Sequence, residues 1–319
     1  MKVLIVGYGS IGKKYFQIFK NFGCETKIFD KKNSLKKKNI FFFKTFQEAK
    51  GWKPEIVIIC NNSNQHIDTL YSLLSKNVKS YLIEKPLDIY FKKINKLKKL
   101  SLSYQNKIFV VNNINFFDPI KLIKKELPNI GKVNYSNIFF GHNLLEMRKK
   151  ISKNHYIKKK RTSGGVILDC IHEIFYSIYL FGLVKKIKID KFKLTKLTTD
   201  YEDLAKLTLV HTNKVISFIS LDFIQYIKNR GCEIYGTKGS IIWRLLGKKN
   251  IKSSLTVIKK NNYGKEKYSI KNFNFDPEKQ YIEMIKELLN YSRKNKQKNL
   301  ISLRKYLNLN SRLKKIYLD

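Results

Sequence analysis

Short apolar runs and amphipathic stretches alternate through the first 112 residues of the chain. Each apolar run has the length and composition of a strand buried on both faces, and each stretch between runs carries apolar residues at helical spacing. The predicted strands are Val3–Val6, Thr26–Phe29, Ile40–Phe43, Glu55–Cys60, Ser80–Glu84 and Ile108–Asn112. Because strands that alternate with helices require right-handed crossovers, this pattern predicts an α/β domain with a parallel sheet over residues 1–116.

The pattern changes after Asp118-Pro119, where one short helix is followed mainly by strands. Consecutive strands without helices between them indicate a largely antiparallel open sheet. Residues 117–319 are therefore expected to form a second, α+β domain, although the terminal helix could pack back on the first. The predicted strands are Val133–Phe140, Lys186–Lys193, Ala205–His211, Val215–Asp222, Gly231–Tyr235, Ser240–Arg244, Lys252–Ile258 and Tyr268–Asn272; the helices are Ile120–Glu126, Pro277–Lys294 and Leu303–Tyr317.

The first strand ends in a glycine motif, Gly7-x-Gly9-x-x-Gly12. In such a motif the first glycine makes a tight turn, the second lets the backbone approach a pyrophosphate and the third lets the helix pack on the sheet. The helix begins at Ser10 and Ile11, whose N–H groups are available to phosphate. The second strand then leads to Asp30, a carboxylate that can accept hydrogen bonds from ribose hydroxyls. These features predict a Rossmann dinucleotide-binding domain; the glycines alone would also fit a structural turn.

The acid after the second strand also bears on which cofactor binds. A carboxylate at Asp30 would repel the 2′-phosphate of NADP, so NAD is favoured. Lys31 and Lys32 follow directly and could reverse that preference, so NADP stays open.

The segment Gly164–Gly182 predicts a buried helix with one ionisable stripe. Asp169, His172, Glu173 and Tyr176 would lie at i, i+3, i+4 and i+7 of a continuous helix, and the rest of its surface is apolar. Buried charges must pair with each other or with a ligand. The stripe therefore indicates a ligand cavity; a core His–Asp pair is the structural alternative.

A second group of chemically useful residues, Glu84-Lys85-Pro86, ends a predicted strand. Ligands of open α/β sheets bind outside the carboxyl ends of the strands. Lys85 could donate there to a substrate hydroxyl or carbonyl, and Pro86 restricts its backbone. A solvated lysine in a lysine-rich chain is the alternative.

The chain of 319 residues carries a net charge of +41, which raises the question of nucleic acid. Only seven of its 65 basic residues are arginines, the lysines are spread along the whole chain and no nucleic-acid motif is present. We therefore expect solvated faces and no specific nucleic-acid partner. The four cysteines lack the spacing of a metal site or a disulfide frame, which indicates a reducing cytoplasm. The one apolar segment of membrane length, Gly164–Val184, carries three ionisable residues near its middle, so no membrane span is expected.

Together these motifs resemble the Gfo/Idh/MocA oxidoreductases, the glucose–fructose oxidoreductase and inositol dehydrogenase group. The matching segments are GYGSIGKKY, CNNSNQH, EKP, GGVILDCIHE and RGCEIYGTKGSIIW. The resemblance implies that Lys85, Asp169 and His172 form the catalytic set. It also implies that Asn61 and His66, with Glu84, belong to loops that line the cofactor.

Two positions depart from the family's pattern. Phe116 stands where relatives usually carry an arginine, and Ile171 replaces the small residue common before the catalytic histidine. Both departures weaken any transfer of substrate specificity.

The resemblance predicts an NAD(P)-dependent dehydrogenase acting on a secondary alcohol or ketone of a sugar or nucleotide-sugar, in surface-glycan biosynthesis, as a homodimer or homotetramer. A cofactor-binding regulator or sensor without turnover is the alternative, because a fold does not fix a function.

Overall fold

The computed structural model describes residues 1–31, 40–88, 91–147, 165–196, 201–247, 251–260 and 265–317. The chain separates into two compact units: residues 1–113 with 281–310, and residues 114–280 with 311–319. The sequence places the change at residue 116 and leaves open that the terminal helix packs back on the first domain; in the structure residues 281–310 lie in the first unit. Within the described ranges no helix is both long and apolar enough to cross a membrane.

The first unit is built on a seven-stranded sheet in the order β15-β6-β5-β4-β1-β2-β3. All neighbouring strands are parallel except β15, which pairs antiparallel with β6. The Rossmann-type parallel sheet predicted from the sequence is thus confirmed. Its strands are β1 Lys2–Val6, β2 Glu25–Phe29, β3 Phe42–Phe43, β4 Ile56–Ile59, β5 Ser80–Ile83, β6 Ile108–Val110 and β15 Ile301–Ser302.

Helices connect these strands and pack on the sheet. The first, α1, buries Gly12, Tyr15, Ile18 and Phe19 along one face, as the helical spacing of its apolar residues predicts. The other helices before β6 are α2 Phe46–Gly51, α3 His66–Leu73, α4 Phe91–Leu97 and α5 Leu102–Gln105, and α1 itself is Ser10–Asn21. Asp88, which precedes the fourth helix, is buried, and residues 89–90 lie outside the described part of the chain.

The second unit carries an eight-stranded sheet in the order β14-β13-β12-β11-β7-β10-β9-β8. Every neighbouring pair is antiparallel except β7 and β10, which run parallel, so the predicted largely antiparallel sheet is confirmed. Its strands are β7 Val133–Gly141, β8 Val184–Phe192, β9 Leu204–His211, β10 Ile216–Asp222, β11 Asn229–Gly236, β12 Gly239–Leu246, β13 Lys252–Lys260 and β14 Glu266–Asn274.

Two faces of this sheet differ in burial. Alternate residues such as Ile138, Ile219 and Trp243 are fully or almost fully buried on the helix-covered face. On the outer face Tyr135 and Phe218 remain 39% and 46% exposed. The helices and short turns of this part are α6 Asp118–Glu126, α7 Leu144–Met147, α8 Gly165–Asp169 and α9 His172–Phe181, and the chain ends in α10 Pro277–Lys294 and α11 Leu303–Tyr317.

The prediction of one continuous helix over Gly164–Gly182 is wrong. The described part of this segment forms α8 and α9, separated by a turn at Cys170 and Ile171. The Glu173 N–H bonds the Cys170 carbonyl 3.2 Å away, three residues back rather than four, which tightens the chain there. The apolar residues keep helical spacing across the turn, so their pattern could not reveal it.

Candidate active site

The glycine turn after β1 is shaped by close backbone contacts. Gly7 has a φ of +100°, and a Cβ on it would meet the Asn61 backbone nitrogen at 2.6 Å. A Cβ on Gly12 would meet the Gly7 carbonyl oxygen at 2.0 Å. Gly9 differs, because a Cβ there would have no heavy atom of the described residues within 4 Å. The space beside the first and third glycines is therefore filled by protein backbone, whereas the space beside the second is open.

Helix α1 starts at this turn without a capping side chain among the described residues; its N-cap is Gly9. The N-cap residue therefore offers no side-chain acceptor to the first N–H groups of the helix, those of Ser10 and Ile11. An anion at this point would accept hydrogen bonds from the N–H groups and would be stabilised by the positive end of the helix dipole.

Asp30 follows β2 and lies beside the same turn. Its Oδ2 accepts a hydrogen bond from the Tyr8 backbone N–H at 2.6 Å, which ties the end of β2 to the glycine turn. The Tyr8 ring packs edge-on against Phe16 and Phe42. Because Tyr8 lies between Gly7 and Gly9, this hydrogen bond fixes the carboxylate beside both glycines.

The loops after β4 and β5 are joined by His66. Its ring is 1% exposed, with Nε2 3.0 Å from the Asn61 carbonyl oxygen and Nδ1 3.0 Å from the Pro86 carbonyl oxygen. Burial lowers the pKa of this imidazole to about 4, so the ring is neutral near pH 7. The Asn61 side chain donates to Thr69, and its buried Oδ1 has no hydrogen-bond partner within the described residues. His66 therefore links the two loops through its buried ring, which contacts a backbone carbonyl of each.

Glu84 and Lys85 stand at the end of β5, as predicted. The Glu84 carboxylate accepts a hydrogen bond from the Tyr15 hydroxyl at 2.7 Å and one from the Lys85 backbone N–H at 3.2 Å. Burial raises the pKa of the Glu84 carboxyl, although the Tyr15 hydroxyl favours its charged form. The Lys85–Pro86 peptide bond is cis, and the Lys85 side chain is half-buried.

Asp169 and His172 flank the turn between α8 and α9. Every residue from Gly165 to Phe181 is buried except these two and Tyr179, which are half-buried. The segment thus presents a carboxylate and an imidazole from an otherwise buried stretch. Ile171, between them, is fully buried in a helical backbone conformation, and Phe116 is also buried.

The other two members of the predicted stripe have protein partners. Glu173 is 1% exposed and pairs with Arg230, whose Nε lies 2.6 Å from Glu173 Oε1. The Tyr176 hydroxyl donates to the Gly231 carbonyl at 3.1 Å. Both side chains connect α9 to β11, so the interpretation of a four-residue stripe facing a ligand does not extend to them.

Sequence reasoning missed several supporting residues. Helical spacing predicts only that Tyr15 is buried, and the sequence patterns assign no role to Glu202 or Arg230. Their partners are 35 to 69 residues away in the chain, so local periodicity carries no signal for them. Arg230 did carry one signal, because it is one of only seven arginines.

Comparison with known families agrees with this architecture. Residues 1–112 match the family model described as an oxidoreductase family with an NAD-binding Rossmann fold, and residues 128–242 match the GFO/IDH/MocA C-terminal domain. The chain therefore belongs to the Gfo/Idh/MocA family and is an oxidoreductase with an NAD-binding domain. A search of curated proteins gave no match.

Solved structures share the fold at low sequence identity. Levoglucosan dehydrogenase in complex with NADH is 13% identical, with a TM-score of 0.80 over 99% of this chain and 96% of that one. UDP-N-acetylglucosamine 3-dehydrogenase GnnA from Acidithiobacillus ferrooxidans is 14% identical, with a TM-score of 0.74 over 98% and 96%. The WlbA dehydrogenase from Bordetella pertussis, in complex with NADH and UDP-GlcNAcA, is 16% identical, with a TM-score of 0.73 over 99% and 95%.

The residues of the glycine turn fit an NAD cofactor. Gly9 leaves open space before the uncapped start of α1, which suits a pyrophosphate. Asp30 lies at the end of the next strand, where the ribose of a dinucleotide is bound in this fold.

Proposed function

We propose that the protein transfers hydride between NAD and a secondary alcohol or ketone of a sugar or nucleotide-linked sugar. The observation that carries this proposal is the exposure pattern of Gly165–Phe181, where Asp169 and His172 are accessible while Glu173 and Tyr176 are held by β11. The substrates named for structural neighbours, levoglucosan, UDP-N-acetylglucosamine and UDP-GlcNAcA, support the substrate class.

In the oxidative direction His172 takes the proton of the substrate hydroxyl as general base. Lys85 donates a hydrogen bond to the same oxygen and stabilises the negative charge that develops on it. Asp169 orients the imidazole or binds a neighbouring hydroxyl. Bound NAD supplies the hydride acceptor.

The cofactor contacts follow from the glycine turn and the strand ends. The N–H groups at Ser10 and Ile11 bind the pyrophosphate, and Asp30 accepts from the ribose hydroxyls. The carboxylate, already fixed by the Tyr8 N–H, favours NAD over NADP. Asn61 and Glu84 line the cofactor side of the loops after β4 and β5. His66 acts beneath them as a positioning residue, because its ring is buried and both nitrogens face protein carbonyls.

Self-association through the outer face of the second unit's sheet completes the proposal. Tyr135 stacks on Tyr235 with ring centroids 4.8 Å apart, and Phe218 lies edge-on to Tyr135 at 6.4 Å. An exposed aromatic cluster in the middle of a sheet is typical of an interface, and a second copy of the chain offers the same surface.

The catalytic assignment is tested with Lys85→Met and His172→Ala. We expect both substitutions to lower turnover about a hundredfold or more, because each removes a proton-handling or charge-stabilising group. The affinity for NADH, followed by fluorescence titration, should change by less than about twofold. Turnover is measured by nicotinamide absorbance over a panel of sugars and nucleotide-sugars.

Lys79→Met is the matched control, because Lys79 pairs with Glu55 on the surface of the same unit. Its turnover should equal that of the unmodified protein. Unchanged turnover in Lys85→Met or His172→Ala would contradict the role given to that residue. Tight NADH binding without turnover on any substrate of the panel would instead favour a non-catalytic sensor.

A further inference from the structure

Arg230 is an unusual residue choice for this chain. Seven arginines stand among 65 basic residues, so lysine fills almost every position where a positive charge is sufficient. Arg230 lies in β11 on the same face as Cys232 and Ile234, which are fully buried. A guanidinium at such a position offers what an ammonium does not: a rigid planar fork that binds two oxygen atoms at once.

Only the Nε side of the Arg230 guanidinium is paired with a carboxylate among the described residues. Its Nε lies 2.6 Å from the Glu173 carboxylate, and its Cζ lies 5.7 Å from the centre of the Phe140 ring. The two terminal nitrogens have no hydrogen-bond acceptor among the described residues. The side chain is 12% exposed and that of Glu173 1%, so the pair is anchored in the core while the fork keeps access to solvent.

Lys228 adds a second cation two residues earlier. Its Nζ lies 4.3 Å from the centre of the Phe275 ring, and no carboxylate of the described part of the chain lies within ion-pair distance. Burial, and then the positive charge of Arg230, lower the pKa of this ammonium to about 8. Among the described residues, the cluster of Arg230, Lys228 and Glu173 therefore holds two cations and one carboxylate in a half-buried place, an imbalance that an anion would relieve.

The cluster adjoins the residues proposed for catalysis. Glu173 directly follows His172 at the start of α9, and the same helix is tied to β11 by the Tyr176 hydroxyl. We propose that Arg230 and Lys228 form a subsite for an anionic group of the substrate, a carboxylate or a phosphate carried by the sugar. This inference rests on the proposed function, since it names the substrate class of that same site.

The division of labour in the subsite follows from the geometry. The terminal N–H groups of Arg230 donate to two oxygens of the anion, and the Lys228 ammonium donates to one of them. Glu173 is a positioning residue, because it holds the guanidinium by Nε and does not face the ligand with a free charge. A neutral sugar would bring no anionic acceptor to the terminal nitrogens of Arg230 or to the Lys228 ammonium, so the subsite discriminates in favour of acidic sugars.

The test is isothermal titration calorimetry of the full-length protein, with and without saturating NADH. The probes are D-glucuronate, D-glucose 6-phosphate and D-glucose. We expect one acidic sugar to bind at least about tenfold more tightly than glucose, and whichever acid binds more tightly identifies the anion. Arg230→Lys and Lys228→Gln should each weaken that binding about tenfold without changing the affinity for glucose.

The same sheet provides a matched control. Arg244 lies on the opposite face, paired with Glu233 and 4.7 Å above the Phe139 ring, so Arg244→Lys makes the same chemical change outside the cluster. This variant should bind the acidic sugars as the unmodified protein does. Thermal melting confirms that each variant is folded, and Lys228→Gln keeps the test decisive if Arg230→Lys unfolds.

Three results would overturn the subsite. They are equal affinity for glucose and both acids, no binding of any of the three, and the same loss in Arg244→Lys as in Arg230→Lys. The NADH titration separates this proposal from the one on which it rests. Acid binding without NADH binding would remove the proposed function and leave the anion site standing.

Discussion

Gly9 and Gly12 lie three residues apart in one turn, yet the absence of a side chain serves different ends at the two positions. At Gly12 the space of a Cβ is taken by the Gly7 carbonyl oxygen at 2.0 Å, so the helix can approach the strand only without a side chain. At Gly9 that space is empty to 4 Å in the described structure, so nothing in the protein requires glycine there. A requirement at Gly9 would therefore come from a ligand.

This contrast gives a matched pair of substitutions. Gly9→Ala should change the free energy of unfolding by less than about 1 kcal/mol, because its Cβ meets no protein atom. It should still weaken NADH binding at least about tenfold, since the methyl group would occupy the place of the pyrophosphate. Gly12→Ala should lower both stability and affinity, because the backbone of the turn must move.

Urea denaturation and NADH fluorescence titration of the two variants measure these effects. If Gly9→Ala bound NADH as tightly as the unmodified protein, the pyrophosphate would not lie at this turn.

The sequence predicts most of the candidate site residues, but it does not predict the distant residues that hold them in place. Three features can be recognised in the sequence because each follows a strand with a clear apolar pattern: the glycine motif, Asp30 and the Glu84-Lys85-Pro86 segment. Tyr15 gives no such signal, because its hydroxyl meets Glu84 only after the chain has crossed the sheet. Arg230 could have been noticed only by its rarity in a lysine-rich chain.

At the scale of elements, the segment that contains Asp169 and His172 shows the limits of periodicity. Its apolar spacing predicts one helix, whereas the structure makes two, separated by a tight turn at Cys170 and Ile171, both of which are buried. What stabilises the start of this segment comes from Glu202, two residues before β9 begins. The Glu202 carboxylate accepts from the Ile167 N–H at 3.2 Å, and its carbonyl accepts from the Val166 N–H at 3.1 Å.

The first residue of α8 must be small for the same reason. A Cβ on Gly165 would lie 2.4 Å from the Glu202 carboxylate, and Gly165 has a φ of +55°. Burial raises the pKa of the Glu202 carboxyl, so an uncharged amide of the same shape can take its place at little cost.

Substituting Glu202 tests whether this contact positions the segment of Asp169 and His172. Glu202→Ala leaves the buried Ile167 N–H without its acceptor, so we expect a loss of about 1–3 kcal/mol in the free energy of unfolding and a marked fall in turnover. Glu202→Gln keeps an acceptor oxygen and should lose less than about 1 kcal/mol and retain most of the turnover. Urea denaturation and steady-state rates measure both, with NADH affinity as the internal reference that neither variant should change. Equal turnover in the two variants would show that the contact serves stability alone.

At the scale of the whole molecule, the sequence indicates the two architectures but not how the chain is shared between them. The change from alternating strands and helices to consecutive strands is visible near Asp118-Pro119. The return of residues 281–310 to the first unit is left open by the sequence, because a helix and a two-residue strand look alike wherever they pack. The pairing of Ile301 and Ser302 with β6 shows where this segment belongs, as does the hydrogen bond from the Tyr291 hydroxyl to the Asn106 carbonyl.

Charge and apolar surface act in opposite directions on self-association. The net charge of +41 per chain opposes association of two copies at low salt, and the repulsion weakens as salt screens it. The aromatic cluster of Tyr135, Phe218 and Tyr235 favours association and does not depend on charge. The proposed oligomer should therefore be most stable at high ionic strength, unlike an assembly held by ion pairs.

The substitution Phe218→Lys places a charge within this cluster. At about 0.5 M salt, where the Debye length falls to about 4 Å, we expect the unmodified protein to run as a dimer or tetramer by size-exclusion chromatography with light scattering. Phe218→Lys should shift it toward the monomer without loss of thermal stability, because Phe218 is 46% exposed in the single chain. Leu102→Lys is the control, since Leu102 is 67% exposed on α5 and the substitution adds the same charge elsewhere. A monomeric unmodified protein, or equal dissociation by both substitutions, would show that the outer face of the sheet does not bind a second copy.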